Sequence, residues 1–272
     1  MAMIAYSKKL LIPPLLILVT LVPSFGNSQD KGFLPEKILR IIDGDTVEIS
    51  NGNRVRLLGI DAPEKGDPLF DDAARRLMEL TSSDVVSIKM CEDLDIYGRF
   101  LGTINAQGSN VNLIMLREGK ALPMLIPPCG RPVAKDILTA AAQGALSGKG
   151  IYSLGGYGII QHMDAGDHIS EHAIVRGKIV NLHRGRKAWH LNFGPDWKTD
   201  FTAVIFGDGQ QRFNALGIDP AGLVGSEVLV FGKINRYNGP EIIVRGPDQV
   251  IPLKGITEED PGTRIQDNDL EH

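Results

Sequence analysis

The stretch that most constrains the fold runs from Ile41 to Glu64 and reads IIDGDTVEISNGNRVRLLGIDAPE. Two strand-like runs, residues 45–49 and 54–60, flank Asn51-Gly52, a dipeptide typical of tight β-hairpin turns. Pro63 cannot continue a central strand, so the second run ends at the turn around it. The pattern therefore predicts a hairpin that carries acidic residues and an arginine at one rim of a sheet.

Arg56 lies among aliphatic residues in the second run of that hairpin. A guanidinium in such surroundings needs an anionic partner, because burying an unpaired charge is strongly unfavourable. Asp45, Asp61 and Glu64 are close by in the sequence and can supply either that partner or a cation site. These residues alone are compatible with two interpretations, a structural ion pair and a functional cluster.

Three separated motifs carry a resemblance to a known family. IDGDTV is followed by RLLGIDAPE and then by DIYGR at Asp95 to Arg99. In this order they resemble the staphylococcal nuclease (thermonuclease) family over about residues 35–155. The resemblance implies an OB-type barrel that hydrolyses phosphodiester bonds of DNA and RNA and leaves a 3′-phosphate.

The resemblance also implies a role for each charged residue of these motifs. It assigns Asp45, Asp61 and the carbonyl of Ala62 to calcium. It makes Glu64 the general base, and it gives Arg56 and Arg99 the substrate phosphate. Calcium takes about 6 to 8 oxygen ligands, so two carboxylates and one carbonyl leave positions for water and substrate, as a catalytic site requires.

Each motif also has a purely structural interpretation. Asp43 and Asp45 flank a glycine and can simply form a turn, and the stretch 95–99 can be no more than a hairpin connection. The combination at family spacing favours the functional interpretation. We then expect Asp43 to support the calcium ligands and Tyr97 to be a packing residue.

Three positions depart from the family pattern. Ile96 stands where the best-known member has a lysine, and Leu125 and Pro127 align roughly with the two tyrosines of its nucleotide pocket. Stacking a base on an aromatic ring is worth about 1–3 kcal/mol. We therefore expect the cleavage chemistry to be retained and the affinity for substrate to be altered.

The two ends of the chain predict export and a flexible tail. Residues 1–28 contain Lys8 and Lys9 before the apolar run from Leu10 to Val22, as a signal peptide does; an uncleaved anchor is the alternative. The mature protein is then expected in the periplasm or outside the cell, as a monomer without stable membrane association. Residues 256–272 are acidic and lack apolar periodicity, which predicts disorder.

Cys91 and Cys129 are the two cysteines of the chain. In an exported protein they can form a disulfide, and two separate buried thiols are the alternative. Both alternatives are open, since the sequence does not give the distance between their Cα atoms.

The remaining pattern predicts a mainly β protein with some helices, built as two OB-type barrels. Strand runs in residues 35–155 alternate with a helix that Asp67-Pro68 opens, one that Asn110 caps and one that ends near Gly148. Residues 156–170 are polar and glycine-rich and predict a linker. Residues 171–255 contain five further strand runs, which predict a second OB-like five-stranded barrel.

The second barrel is a candidate nucleic-acid-binding module. Its first strands carry the basic residues Arg176, Lys178, His183, Arg184, Arg186 and Lys187. The aromatic residues nearby in sequence are Trp189, Phe193, Trp197, Phe201 and Tyr237. Basic loops with aromatics suit single-stranded nucleic acid, although strand aromatics often belong to the core.

Because the formal net charge is −4, any phosphate site must be local. Two hypotheses follow: a nuclease preferring single-stranded DNA and RNA, or a non-catalytic envelope protein that binds nucleic acid or protein.

Overall fold

The computed structural model describes residues 32–256. The predicted signal peptide and, apart from Ile256, the predicted acidic tail lie outside this range. No helix among the described residues is long and apolar enough to cross a membrane.

The first part of the chain forms a mixed sheet with three helices. Its elements are β1 Leu34–Glu36, β2 Ile38–Ile41, β3 Thr46–Ile49, β4 Arg54–Leu57, β5 Gly59–Asp61, α1 Phe70–Leu80, β6 Val86–Leu94, β7 Phe100–Ala106, β8 Ser109–Asn110, α2 Val111–Arg117, β9 Leu122–Met124 and α3 Ala134–Ser147. The main sheet has the order β1-β6-β7-β4-β3-β2, with β8 added beside β7. All of its pairs are antiparallel except β4 with β7. This curled sheet is the OB-type fold that the sequence predicts.

The hairpin around Asn51-Gly52 is confirmed, but its second strand is divided. β3 pairs with β4 across a connection of residues 50–53, in which Gly52 has a φ of 81°. The sequence predicts one strand over 54–60, whereas the structure breaks it at Leu58. Gly59 causes the break, because its φ of 86° belongs to the left-handed region that favours glycine. β5 then pairs with β9 in a separate two-stranded sheet.

A buried asparagine fills the break between β4 and β5. Asn112, on α2, accepts a hydrogen bond from the Ile104 amide at 3.0 Å. Its side-chain nitrogen donates to the carbonyls of Leu58 at 2.8 Å and Gly102 at 3.1 Å. The backbone groups released by the bend are therefore paired, as buried polar groups must be.

The start of α1 differs from the sequence prediction. The helix begins at Phe70 behind Leu69, which has a φ of 69°, and Asp67 does not cap it. Instead, the Asp67 carboxylate accepts a hydrogen bond from the Glu64 amide at 3.2 Å. Asp67 thus closes the turn after β5 with a local side-chain-to-backbone hydrogen bond, the kind of bond that competes with helix capping.

The other two helices have the predicted ends. The Asn110 side chain accepts a hydrogen bond from the Leu113 amide and caps α2. Gly148 ends α3 with a left-handed backbone conformation. Both helices pack apolar residues into the core of this part of the chain, among them Met115, Leu116 and Ile137.

Cys91 and Cys129 form a disulfide with Cα atoms 6.0 Å apart. The alternative of two separate thiols is therefore wrong. The bond ties β6 to the segment after β9, beside the buried Leu58 and Leu101.

The second part of the chain forms another mixed sheet. Its elements are β10 Ile159–Gln161, β11 His172–Lys178, β12 Asn181–Arg184, β13 Ala188–Asn192, β14 Thr202–Phe206, α4 Gly207–Ala215, β15 Glu227–Tyr237, β16 Gly239–Val244 and β17 Val250–Pro252. The order is β10-β11-β15-β16-β14-β13-β12, with β17 added beside β15. β11 and β12 are separated only by Ile179 and Val180. The second OB-like barrel stays a prediction that this strand order supports.

The stretch predicted as a linker contains regular structure. Residues 156–170 include β10, which pairs in parallel with β11, and a 3-10 helix from His162 to His168. Beyond it, the second sheet contributes to the core of the first part of the chain, with Leu229 and Ile251 in the same apolar cluster as Ile137 of α3. The domain boundaries drawn from the sequence stay predictions.

Candidate active site

Asp45 directly precedes β3 and is buried. One of its carboxylate oxygens accepts a hydrogen bond from the Ala62 amide at 2.7 Å, and the other accepts one from the Thr46 hydroxyl at 3.0 Å. The Asp43 side chain accepts a hydrogen bond from the Asp45 amide at 3.0 Å and holds the turn. The turn that the sequence predicts around Asp43 and Asp45 therefore also carries a residue of the predicted acidic cluster.

Arg56 lies between two carboxylates at the rim of the sheet. Its guanidinium forms an ion pair with Asp45 and donates to Asp61 at 2.7 Å. Burial lowers the pKa of Arg56, but the two carboxylates outweigh this effect and raise it above the ordinary value. The side chain therefore stays charged and fixes both carboxylates relative to each other.

Asp61 is the more accessible of these two carboxylates, with 41% of its side chain exposed. Burial raises its pKa; the Arg56 charge opposes this, and the Asp45 carboxylate adds to it, so that the pKa lies above the ordinary value. Part of this side chain can therefore reach solvent, ions or substrate.

Gly44 allows the acidic turn to approach the end of β5. A Cβ atom at this position would lie 2.6 Å from the Cβ of Ala62 and 2.7 Å from that of Ala73. Any side chain here would force the turn away from β5 and from α1. The glycine of the IDGDTV motif is thus required for the hydrogen bond between Ala62 and Asp45.

Arg99 reaches the same rim from the turn between β6 and β7. Its Nε donates to the Asp95 carboxylate at 2.7 Å, and its guanidinium donates to the Thr46 hydroxyl at 3.3 Å. The Asp95 carboxylate also accepts hydrogen bonds from the backbone amides of Tyr97 and Arg99, both at 2.9 Å. Three motifs that are separate in sequence therefore meet at one rim.

Glu64 lies in the exposed turn that follows β5. Its amide donates to Asp67, and its carbonyl accepts the Asp67 amide at 2.9 Å. These two bonds fix the backbone of the turn three residues beyond Asp61. An open depression of about 490 Å³ lies beside the turn and is lined by residues from Lys65 to Arg75.

Comparison with known proteins finds a family match over the part of the chain that contains Arg56, Asp61 and Arg99. Residues 54–153 match the family model described as "Staphylococcal nuclease homologue". Residues 54–153 are therefore staphylococcal nuclease-like. The family is one of phosphodiester-cleaving enzymes, which agrees with the carboxylates and arginines gathered at the rim.

Individual relatives agree with the family match. A micrococcal nuclease of Shigella flexneri is 34% identical over 117 residues, covering 39% of this chain and 63% of the relative. An uncharacterized endonuclease of Haemophilus influenzae is 31% identical over 119 residues, covering 42% and 64%. An uncharacterized endonuclease of Escherichia coli O157:H7 is 36% identical over 89 residues, covering 31% and 58%. The chain thus spans about three fifths of the length of these relatives.

Several residues of the nuclease-like site were not identified from the sequence. The Thr46 hydroxyl donates a hydrogen bond to Asp45 and accepts one from Arg99. The Met124 sulfur lies 3.6 Å from the Arg56 guanidinium, which donates to it. Burial raises the pKa of Tyr157, and Asp67 and Asp61 raise it further, so this phenol lies within electrostatic reach of the site. Among these, only Thr46 belongs to a motif, and its position beside Asp45 was the available signal.

The departures from the family pattern have different surroundings. Ile96 is 91% exposed, so it presents an apolar surface where the best-known member of the family has a lysine. Tyr97 is 77% exposed, with the Arg99 guanidinium 5.3 Å from its ring centre, and its interpretation as a packing residue is wrong. Leu125 is fully buried and offers no surface on which a base can stack.

The residues predicted to bind calcium suit a hard cation. Asp45, Asp61 and the Ala62 carbonyl all offer oxygen, the donor that calcium prefers. The raised pKa of Asp61 adds to this fit, because a nearby cation would offset the cost of ionising that carboxylate. The chemistry of the donor set therefore fits the ion.

The basic and aromatic residues of the second sheet divide into two groups. Phe193 and Phe201 are buried and pack against each other with ring centres 4.9 Å apart. Arg184 forms an ion pair with Asp219 and lies over the ring of Trp189 at 5.1 Å. Trp197 and Tyr237 are exposed, at 55% and 75% respectively. Only part of the predicted cluster is therefore available to a ligand.

Proposed function

We propose that this protein is an exported, calcium-dependent nuclease that hydrolyses phosphodiester bonds of DNA and RNA. The observation that carries the proposal is the hydrogen bond between Arg99 and Thr46, which joins the DIYGR turn to the acidic rim. Hydrolysis needs charge stabilisation and a positioned base in one place, and this contact supports that arrangement.

In this proposal Asp45, Asp61 and the Ala62 carbonyl hold calcium. The bound ion supplies positive charge that stabilises the phosphoryl oxygens. Arg56 is largely buried between the two carboxylates, so its first effect is to orient them, and it also adds charge toward the phosphate. The phosphate itself is contacted mainly by Arg99, whose side chain is more accessible.

Glu64 is the proposed general base. It lies two residues beyond the proposed calcium ligand Ala62 in the chain, and its exposure leaves room for water and substrate. A base acts only within hydrogen-bond reach of the attacking water, and such contacts often tighten only when substrate binds. The fixed turn between Glu64 and Asp67 supports this role by limiting how far the carboxylate can move.

Export as a monomer, to the periplasm or the cell exterior, is part of the proposal. The apolar run in residues 10–22 and the disulfide between Cys91 and Cys129 support it, since disulfides persist in oxidising compartments. Preference for single strands is also proposed, because the exposed aromatics of the second sheet suit unpaired bases.

The test is cleavage of a single-stranded DNA oligonucleotide by the mature protein, first with calcium and then with chelator. We expect shortening with calcium alone, and we expect Glu64→Gln to lose about 10²-fold or more of the rate, as loss of a general base commonly does. Equal cleavage in chelator would contradict the calcium role. Full activity of Glu64→Gln would contradict the role of the base.

A second candidate function is binding without cleavage. It is favoured by the exposed residues Trp197, in the connection before β14, and Tyr237, at the end of β15. These two segments approach each other, since a Cβ on Gly239 would be 2.7 Å from the Asp200 carbonyl oxygen. Lys198 lies over the Trp197 ring at 5.8 Å, so aromatic and cationic groups are adjacent. The same incubation separates the two functions, because this candidate predicts retention of an intact oligonucleotide that is lost at high salt.

A further inference from the structure

An ion pair in the second part of the chain, between Arg212 and Asp248, forms hydrogen bonds with the backbone of Leu125. Arg212, on α4, donates to the Leu125 carbonyl and to the Asp248 carboxylate, both at 2.9 Å. Asp248, in the 3-10 turn before β17, accepts the Leu125 amide at 3.4 Å. Both polar groups of one residue are thus held by side chains 87 and 123 positions further along the chain.

Leu125 directly follows β9, the strand that supports the candidate active site. β9 pairs with β5, so that Leu122 lies opposite Asp61 and Met124 lies opposite Gly59. The Met124 sulfur contacts the Arg56 guanidinium at 3.6 Å. A shift of Leu125 therefore moves the strand that carries Asp61 and the side chain that lies against Arg56.

We propose that Arg212 and Asp248 are positioning residues: the second sheet uses them to fix β9, and through β9 it fixes Asp61 and Arg56. The effect on catalysis rests on the proposed function, whereas the effect on β5 and β9 does not. In this account the residues beyond the family-matched range 54–153 are part of what makes the site rigid.

The energetics of the pair favour positioning over stabilisation. Asp248 is buried, and in the described residues one of its oxygens and the Arg212 Nε atom are buried without a hydrogen-bond partner. Buried ion pairs commonly add little net stability, because desolvation offsets their attraction, but they do fix one geometry. Burial raises the pKa of Asp248; Arg212 and backbone amides oppose this, and the Asp61 charge adds to it, which agrees with its closeness to the site.

The experiment uses the full-length chain with Arg212→Met, Asp248→Asn and Arg212→Lys. The first readout is hydrogen exchange of the β5 and β9 amides, the second is calcium affinity by calorimetry, and the third is cleavage. We expect Arg212→Met to speed exchange in β5 and β9, to weaken calcium binding by about tenfold, and to lower kcat by about 10–100-fold, as loss of an outer-shell contact commonly does. KM should change less than about threefold, because no substrate contact is removed.

Arg212→Lys should recover most of these losses. A single nitrogen of Arg212 makes both contacts, and an ammonium can donate to the same two acceptors. Asp248→Asn retains an acceptor for the Leu125 amide and should give an intermediate effect.

Arg76→Met is the matched control. Arg76 makes two hydrogen bonds of 2.7 Å to Glu118 and joins α1 to α2. Arg76→Met should lower the midpoint of thermal unfolding by about as much as Arg212→Met does. It should change neither the amide exchange of β5 and β9 nor the calcium affinity. If Arg212→Met unfolds the chain, Asp248→Asn and Arg212→Lys decide the outcome.

Unchanged exchange in β5 and β9, or equal effects in the Arg76 control, would overturn the proposal. A wild-type chain that binds calcium without cleaving would refute the proposed function alone. The exchange and calcium readouts would then still decide whether Arg212 and Asp248 position the site.

Discussion

The two sheets of this protein pair their strands in the same order and carry different chemistry. β1, β6, β7, β4, β3 and β2 of the first sheet correspond in order to β11, β15, β16, β14, β13 and β12 of the second. Both sheets have a parallel pair at the same place, β4 with β7 and β14 with β16, and the second sheet has one more, β10 with β11. Strand order alone therefore does not determine function.

The difference lies on the face that points away from the core. In the first sheet that face carries Thr46 opposite Arg56, at the rim where Asp45 and Asp61 converge. In the second sheet the face carries His190 and Val204 at paired positions of β13 and β14. Neither of these two residues is an arginine that could hold a pair of carboxylates as Arg56 does.

The connection after β4 makes this chemistry possible. β4 breaks at Leu58 and continues as β5 before the turn at Glu64, so Asp61 is folded back toward Arg56. β14 runs directly into α4 without such a break. The short strand β5 is therefore the feature that distinguishes the first sheet, because it brings Asp61 to the candidate catalytic rim.

The largest expected effect compares one arginine from each sheet. Arg99→Ala should lower kcat by about 10²–10³-fold, because it removes a preorganised charge at the phosphate. Arg184→Ala, which removes an exposed ion pair in the second sheet, should leave kcat within about twofold. Cleavage rates at saturating calcium provide the measurement, and equal losses in both variants would show that the first sheet has no special role.

A smaller effect is expected for Asp95→Asn, which loosens Arg99 without removing it. Burial raises the pKa of Asp95, but hydrogen bonds from Arg99 and Tyr97 and the Arg99 charge outweigh this effect and hold the pKa below the ordinary value. The stabilisation by Asp95 is therefore present above the ordinary aspartate pKa of about 3.9 and is lost as the pH falls through the lowered one.

We accordingly expect Asp95→Asn to lower activity by about tenfold and to reduce the unfolding free energy at pH 7, through weaker anchoring of Arg99. The difference in unfolding free energy should shrink toward the acidic end, where Asp95 itself is protonated. Urea unfolding at several pH values measures this. A difference that is constant with pH would show that the charge of Asp95 is not the cause.

Local signals in the sequence predicted much of the first part of the chain. Asn51-Gly52 marked the hairpin, Asn110 marked the start of α2, and Gly148 marked the end of α3. Each of these residues acts through a backbone conformation or a hydrogen bond within a few positions. The three motifs also identified Asp45, Asp61, Arg56 and Arg99, which the structure brings to one rim.

Other features depended on distant parts of the chain and gave no local signal. The run 54–60 reads as one strand, and only the pairing of β5 with β9 reveals its division. Asp67 precedes a proline as a helix cap does, yet its carboxylate closes the turn at Glu64. The contact of Arg212 with Leu125 joins positions 87 residues apart and follows no motif.

Calcium binding to the first sheet tests the central claim most directly. Titration calorimetry on the mature wild-type chain should show one calcium site, and Asp45→Asn should abolish it, because Asp45 is the buried ligand on which Ala62 and Arg56 converge. Equal calcium binding by the wild type and Asp45→Asn would contradict the account.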